Sequence, residues 1–373
     1  MGHEIVTKGF EIQDFEEVEG LSSEDEISSW GEYPIDTVHI RNENRTVHDV
    51  LRRVEKGSFV MDPEFQRDFI WNDEKQSKLI ESVLMRIPLP VFYLAENFDG
   101  QMVVVDGLQR LSTFQRFVNN ELRLKLPEQK ELNKKKFDEL SPKLQNRIED
   151  CNLILYIIDA KVPAKALLDI FERVNSGVPL TRQQMRNCLY MGPGTAFLRQ
   201  EASSKIFASA TGGSLQKATM RDREMVNRFC AFSLLDLDDY RGDMDGYLAQ
   251  ALLHMNDMSE NDIKRLSSRF RRSLKNNQIV FQKHAFRKHF EDQSARNIFN
   301  ASLWDVMSVG LSKYSETVVE ANAELVREAF YILLDDISFL ESITLGTNQV
   351  NRVNYRFLAM NSALEEVLGD QKN

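Results

Sequence analysis

Four residues within five positions have the types and spacing to do chemistry: Asp106, Gly107, Gln109 and Arg110. They lie in QMVVVDGLQRLSTFQRFV, residues 101–118, where the apolar pattern changes from strand-like to helix-like. Val103 to Val105 are consecutive and β-branched, whereas Leu108, Leu111, Phe114, Phe117 and Val118 recur at helical spacing. A strand that turns directly into a helix leaves backbone N–H groups unsatisfied at the helix start, where aligned peptide dipoles favour an anion. Gly107 lets a ligand approach the backbone closely. Gln109 and Arg110 add donors, and Asp106 places a carboxylate at the strand tip that can contact a Mg²⁺ partly neutralising phosphates. This chemistry suits a phosphate-bearing ligand. The same residues also read as an ordinary turn and cap followed by a first-turn arginine.

The elements that must position this turn are legible in order. Residues 1–32 form an acidic, mobile arm, with nine Asp and Glu against one Lys in positions 1–29. The arm reads either as a solvated tail or as a segment that mimics nucleic acid or shields a basic groove. Ile35, Val38 and Ile40 alternate as in a short strand. Thr46 caps a helix through Val47, Val50, Leu51 and Val54, and Phe59-Val60 is a strand. Asn72 or Asp73 caps a helix with Leu79, Ile80, Val83 and Leu84, which Pro88 ends before a strand at Val91–Leu94. Trp71, just ahead of that helix, is either the anchor of an arginine-bearing loop that closes over a ligand or a core plug. Pro127–Lys143 is a charged excursion, and Leu153–Ile158 is a strand. A helix through Leu167, Ile170, Phe171 and Val174 follows, and Thr181 and Gln184 have capping-box spacing. From about Met191 strand-like runs stop. Helices are expected at 195–208, 221–235, 244–256, 260–275, 294–313, 317–343 and 350–368. The expected organisation is an arm at 1–32, an α/β domain at 33–192 and a helical domain at 193–373.

Composition narrows the class. The chain has 373 residues, 42% of them hydrophobic and 28% charged, and carries a net charge of −10, which argues against a surface that coats nucleic acid everywhere but leaves room for a local basic patch. No apolar run approaches a membrane span, and the three cysteines are scattered without a CxxC pair. The expected compartment is the reducing cytoplasm.

Beyond this, QRDFIW, the passage LIESVLMRIPLPVFYL, VVVDGLQRLSTF, FERVNSGVPLT and QQMRN follow one another in an order and spacing that resemble the N-terminal domain family of GmrSD-type, modification-dependent restriction endonucleases. The resemblance spans roughly residues 35–310, since MRDREMVNRFCAF and RNIFNASLWDVM look like the family's helical part. It implies an α/β (α+β) ParB/sulfiredoxin-like N-terminal domain followed by a predominantly α-helical C-terminal half. It also implies a pocket that binds, and in some members hydrolyses, a nucleoside triphosphate. The family's DGQQR-like motif falls on Asp106, Gly107, Leu108, Gln109 and Arg110. Leu108 stands where the family has a glutamine; an apolar side chain cannot donate to a phosphate, so it is expected to face the core. The family's Gln-Arg-before-Trp motif falls on Gln66, Arg67 and Trp71, its FxRxN motif on Phe171, Arg173 and Asn175, and its next arginine on Arg186. Nucleotide contacts are therefore expected from Gln66, Arg67, Asp106, Gly107, Gln109, Arg110, Arg173 and Asn175. Asp106 and Arg110 are the catalytic candidates, and Asp106 the contact to Mg²⁺. Glu172 ranks below Asp106 as a base.

Two activities of related proteins are set aside. Sulfiredoxin chemistry needs a reactive cysteine in the phosphate loop, and none is there. The family's His-based nuclease needs a His-rich turn followed by Asn and His, which none of the six histidines forms. The expected role is a nucleotide-binding component of a defence system against foreign DNA, acting with a separate nuclease or other subunit. The alternatives are a non-catalytic DNA-binding or scaffold module, and a metal-dependent nuclease using Asp106 and Arg110. DNA contact is expected from a stripe of nine Lys and Arg without an acid between Ile263 and Phe290, with Arg265, Arg269, Arg271, Arg272 and Lys275 as the contacting residues. The same stripe also reads as a solvated or partner-facing helix, with Phe270, Phe281 and Phe286 on its buried side.

Overall fold

The computed structural model describes residues 18–20, 39–61, 71–97, 100–162, 166–167, 169–170, 173, 181–217, 219–291 and 293–369. Of the short strand expected through Ile35, Val38 and Ile40, only Ile40 is among them, and the positions Gln66, Arg67, Phe171, Glu172 and Asn175 lie outside them. The chain divides into two units, residues 31–191 and residues 1–30 with 192–373. The first described element, β1 (Val18–Glu19), belongs to the second unit.

In the 31–191 unit the order is β2 (Ile40–Thr46), α1 (Val47–Glu55), β3 (Phe59–Val60), α2 (Asp73–Leu84), β4 (Phe92–Glu96), β5 (Met102–Asp106), α3 (Leu108–Val118), α4 (Pro142–Glu149), β6 (Asn152–Ile158) and α5 (Arg182–Leu189). The caps fall where side-chain chemistry puts them. Thr46 accepts from the Asp49 N–H at 3.2 Å, so β2 passes into α1 without a loop. Asn72 accepts from Lys75 N–H at 2.9 Å. Thr181 and Gln184 close a reciprocal capping box on α5. The strands form a mixed sheet in the order β2-β6-β4-β5-β3, with β4–β6 and β3–β5 parallel and the other two pairs antiparallel.

Both faces of this sheet are covered. Val50, Ile80, Phe114 and Phe117 from the helices pack with Phe92, Leu94, Leu155 and Ile157 on one side. Ala95, Val105 and Ile158 pack with Ala166, Leu167 and Met185 on the other. Double coverage explains why Val103–Val105 is a continuous apolar run instead of an alternating one. Each fully buried Leu, Val or Phe here contributes roughly 1.5–3 kcal/mol. The charged excursion after Pro127 is pinned by Leu140, which is buried, and by Phe137, whose ring meets that of Phe117 edge-on at 5.8 Å.

The edge strand β2 carries charge, which discourages pairing with another chain. Arg41 pairs with Glu96 at 2.6 Å, and Arg45 with Glu43 at 2.5 Å and with Asp49 at 2.7 Å. Hydrogen bonds led by that from Arg45, with Arg52 and Arg53 assisting, bring the Asp49 carboxyl from the usual 3.8 down to about 2. A depressed carboxylate stabilises the fold above its unfolded value and loses that contribution as pH falls. Asp49→Asn is therefore expected to flatten the loss of urea-unfolding midpoint between about pH 4 and 2. The effect is no more than about 1 kcal/mol, because these pairs are partly exposed. An unchanged slope would exclude the pairs as a stabilising network.

The second unit is helical apart from β1 and β7 (Phe299–Asn300). Its helices are α6 (Pro193–Ala202), α7 (Lys205–Thr211), α8 (Arg221–Leu234), α9 (Met244–Asn256), α10 (Glu260–Phe281), α11 (Ala301–Leu311), α12 (Glu316–Ala321), α13 (Ala323–Asp335), α14 (Ile337–Ser342) and α15 (Val350–Leu368). Every residue of α11 is buried, which makes it the central helix. Trp304 at its middle donates through Nε1 to the Met225 carbonyl at 2.7 Å.

Several expected boundaries move for local reasons. The helix expected at 294–313 starts only at Ala301, because Asn300 accepts from Leu303 N–H at 2.8 Å and, with Phe299, is taken into β7. The expected 317–343 helix is three helices, and Asp336 caps the last by accepting from Ser338 N–H at 2.9 Å. Ser204, capping α7, splits the helix expected at 195–208. The acidic arm is not solvated throughout: Val18 and Glu19 pair in parallel with Phe299 and Asn300. Among the described residues, no helix is long and apolar enough to cross a membrane.

Candidate functional site

The stretch around Asp106 folds as its periodicity predicts. β5 ends at Asp106, Gly107 adopts the left-handed region at φ 100°, and α3 begins at Leu108. Gly107 offers no side-chain cap, so the first N–H groups of α3 depend on another partner. The register between β4 and β5 slips here: Leu94 faces Val104, but Tyr93 faces Asp106. The extra residue, Val105, makes a bulge that bends the strand and re-aims its last side chain. Gly107 also lies against Phe92, since a Cβ on it would fall 2.2 Å from Phe92 Cδ1.

Arg110 is drawn inward from the first turn of α3. Its guanidinium donates to Asp106 Oδ2 at 2.8 Å, to the Val91 carbonyl at 3.0 Å and to the Pro90 carbonyl, and lies 4.2 Å above the Phe92 ring. Burial pulls its pKa below the usual guanidinium value, against the opposing pull of Asp106. The reading of Arg110 as an exposed first-turn arginine therefore fails: it is 8% exposed. The Asp106 side chain keeps 33% exposure. Leu108 is half-buried against the core, as its apolar side chain requires.

Gln109 accepts from the Trp71 backbone N–H at 3.4 Å, and the Trp71 carbonyl accepts from Gln76 Nε2 at 2.8 Å. The residue that closes the QRDFIW motif thus meets the turn that carries DGLQR. Trp71 itself packs half-buried on the core, and Lys75 Nζ sits 4.7 Å from its ring centroid; the loop it was expected to anchor lies outside the described residues. Arg173 is exposed on a helical residue, and Arg186 is buried in α5 with Nε donating to Gln183 Oε1 at 3.1 Å.

Residues not singled out from the sequence also gather here. Asn42, Tyr156, Tyr93 and Asp106 are successive partners across β2, β6, β4 and β5, so they form one row on one face of the sheet. The Tyr93 and Tyr156 rings lie 5.5 Å apart, tilted by 33°, and both are half-buried. The only sequence signal for them was a tyrosine in each of two otherwise apolar strands, FYLAE and NLILYII. Gln183 and Asn187 in α5 are buried and bonded at 2.8 Å, foreshadowed only by the polar run QQMRN.

Among the described residues, no group of three or more His, Cys, Asp or Glu could hold a metal ion. Asp106 alone does not make a protein cage. It suits only an ion that arrives on phosphates and keeps most of its other ligands from them and from water. Burial pushes the Cys151 thiol up, and Cys188 and Cys230 are buried, so none has the exposed, electropositive setting of a reactive thiol.

The basic stripe finds internal partners. In α10, Arg271 makes two bonds to the fully buried Glu201 at 2.9 and 3.0 Å. Arg269 donates to Ser312 Oγ at 3.0 Å, Arg272 to the Ser312 carbonyl at 2.8 Å, and Lys275 to Glu316 at 3.0 Å, while Arg265 pairs with Asp262. Phe270, Phe281 and Phe286 are buried. Arg269, Arg271 and Arg272 tie α10 to its neighbours, whereas Arg265 bonds within α10 and stays largely exposed.

Residues 47–191 match the family model described as GmrSD restriction endonuclease, N-terminal domain. The match begins with α1, ends with α5 and takes in the Asp106–Arg110 turn. No curated protein and no solved structure matches the chain.

Proposed function

With residues 47–191 carrying a GmrSD N-terminal domain, we propose that the chain is a component of a restriction or defence system and that its turn at Asp106–Arg110 binds a nucleoside triphosphate. The observation that carries this reading is the conjunction at the end of β5. A bulge, a half-exposed carboxylate and a left-handed glycine lead into a helix with no side-chain cap. The phosphates sit at the α3 N-terminus, where backbone N–H groups and the helix dipole receive them. Gln109 is the uncharged donor. Arg110 is first a positioning residue: it holds Asp106 and the turn, and it offsets the Asp106 charge beside the phosphates. The base lies toward Tyr93 and Tyr156, since aromatic faces bind any base. When bound with the phosphates, Mg²⁺ supplies charge neutralisation next to Asp106.

One observation favours a second reading. Arg110 is engaged by Asp106 and two carbonyls, an arrangement equally suited to locking the turn of a non-catalytic scaffold. Cleavage of DNA at Asp106 draws no such support, because two-metal chemistry needs several carboxylates.

The test is a titration of the four ribonucleoside triphosphates with Mg²⁺, with phosphate release followed in the same samples. Arg110→Ala is an ambiguous variant, because it removes a structural clamp. Gln109→Ala is cleaner and is expected to weaken binding roughly tenfold or more, the loss of a bond to a charged group. Tyr93→Ala is expected to weaken all four nucleotides by a similar factor. Saturable binding with both effects supports the reading, and phosphate release makes the chain a hydrolase. Wild-type protein that binds no nucleotide leaves the scaffold reading.

A further inference from the structure

In the helical unit, β7 is a two-residue strand whose pairing partner among the described residues is β1 of the acidic arm. The contact is more specific than a chance bridge. The Glu19 carboxylate is read by two different donors: Lys288 Nζ reaches Oε1 at 2.6 Å, and Asn300 Nδ2 reaches Oε2 at 3.0 Å. Asn300 is fully buried and immobilised, since its amide also donates to the Ile343 carbonyl at 2.9 Å while its oxygen caps α11. A donor held in place by its own bonds loses little freedom when a carboxylate arrives.

The next position is also selective. Gly20 has φ +83°, and a Cβ there would lie 3.6 Å from Ser302 Oγ and 3.7 Å from Thr347 Oγ1. Both hydroxyls are buried and have no hydrogen-bond partner among the described residues. Buried hydroxyls left unmatched beside an occupied strand are a reserve of polar contact that a better-fitting or longer peptide can use.

We propose that β7, Lys288, Asn300, Ser302 and Thr347 form a groove that recognises an extended acidic peptide presenting Glu-Gly, and that Val18–Gly20 is its resident, displaceable occupant. Strand addition supplies sequence-independent backbone bonds. The Lys288–Asn300 pair reads the carboxylate, and the left-handed position after it selects glycine. The arm is tethered to the unit it occupies, so it competes at high effective concentration, and a peptide in trans binds weakly until the arm is released. The partner is a protein with such a segment. Lys288 belongs to the basic stretch noted in the sequence, so a nucleic-acid phosphate is the competing explanation for its charge.

The experiment uses the full chain and a fluorescent peptide of residues 16–22, EEVEGLS. Glu19→Lys should empty the groove and raise affinity for the peptide at least about tenfold over wild type. Gly20→Val should do the same by a different route. Adding Lys288→Glu to Gly20→Val should abolish binding of the peptide, and a peptide with Lys in place of its Glu19 should recover it. A melting curve for each variant confirms that the chain is folded. Equal affinity of wild type and both emptied variants, or indifference of the peptide to Lys288, would overturn the proposal. So would a duplex oligonucleotide that binds through Lys288 while the peptide does not.

Discussion

Replacing Asp305 with alanine is expected to destabilise the helical unit by roughly 3–5 kcal/mol, a large fraction of the stability of an ordinary domain. Asp305 is the single acid in the middle of the fully buried α11. It accepts from Arg228 Nε at 2.8 Å and Arg228 Nη2 at 2.6 Å, and from Arg356 Nη2 at 2.9 Å. All three side chains are within 1% of complete burial. Burial is the largest influence on both guanidinium groups, but Asp305 outweighs it at Arg228, whose pKa is raised, and not at Arg356, whose pKa is lowered. One carboxylate thus serves two cations. Arg356 is held further by the Thr347 and Ser342 carbonyls. Removing Asp305 leaves two buried positive charges facing each other, the costly outcome, because desolvation stays while attraction is lost. Exchanging all three residues for apolar ones of similar volume removes the desolvation cost too and is expected to be near neutral. Urea unfolding followed through the loss of helical circular dichroism gives both values. A loss under about 1 kcal/mol in the single variant would mean that water reaches the triad.

Gly107→Ala is expected to cost about 3 kcal/mol or more and to abolish whatever the β5–α3 turn binds. Two effects add. A non-glycine residue at this left-handed backbone costs on the order of 1–3 kcal/mol. The new methyl also overlaps Phe92, at 2.2 Å from Cδ1 and 2.7 Å from Cε1, and forcing a side chain into a packed site costs about 1–3 kcal/mol more. Phe92 cannot yield cheaply, because it is fully buried under the Arg110 guanidinium. A second substitution, Phe92→Leu, should return part of the stability of Gly107→Ala but not the strain from φ 100°. Thermal unfolding of the two single variants and the double variant yields the coupling directly. Additive effects would show that the overlap is relieved by movement of the turn.

These two predictions draw differently on sequence. Asp106-Gly107 could be placed at a strand-to-helix turn because the hydrophobic period itself changes there, and local periodicity survives folding. Thr46, Asn72 and the Thr181–Gln184 box were legible for the same reason: a cap satisfies backbone groups three residues away. The sheet-then-helices division followed from where strand-length apolar runs cease. By contrast, the partners of Arg110 at Pro90 and Val91, of Arg271 at Glu201 and of Arg228 at Asp305 lie 19 to 77 residues away. A count of charges cannot tell a surface arginine from one that ties helices together. The row Asn42–Tyr156–Tyr93–Asp106 depends on strand order and on a one-residue bulge, and neither leaves a mark in any single strand. The sequence by itself therefore determined most elements of the α/β unit, several of their caps and the turn that could meet a phosphate. Only the tertiary structure decided which charged side chains face solvent and which are used up inside, because long-range pairing is selected by desolvation and packing that no local window contains.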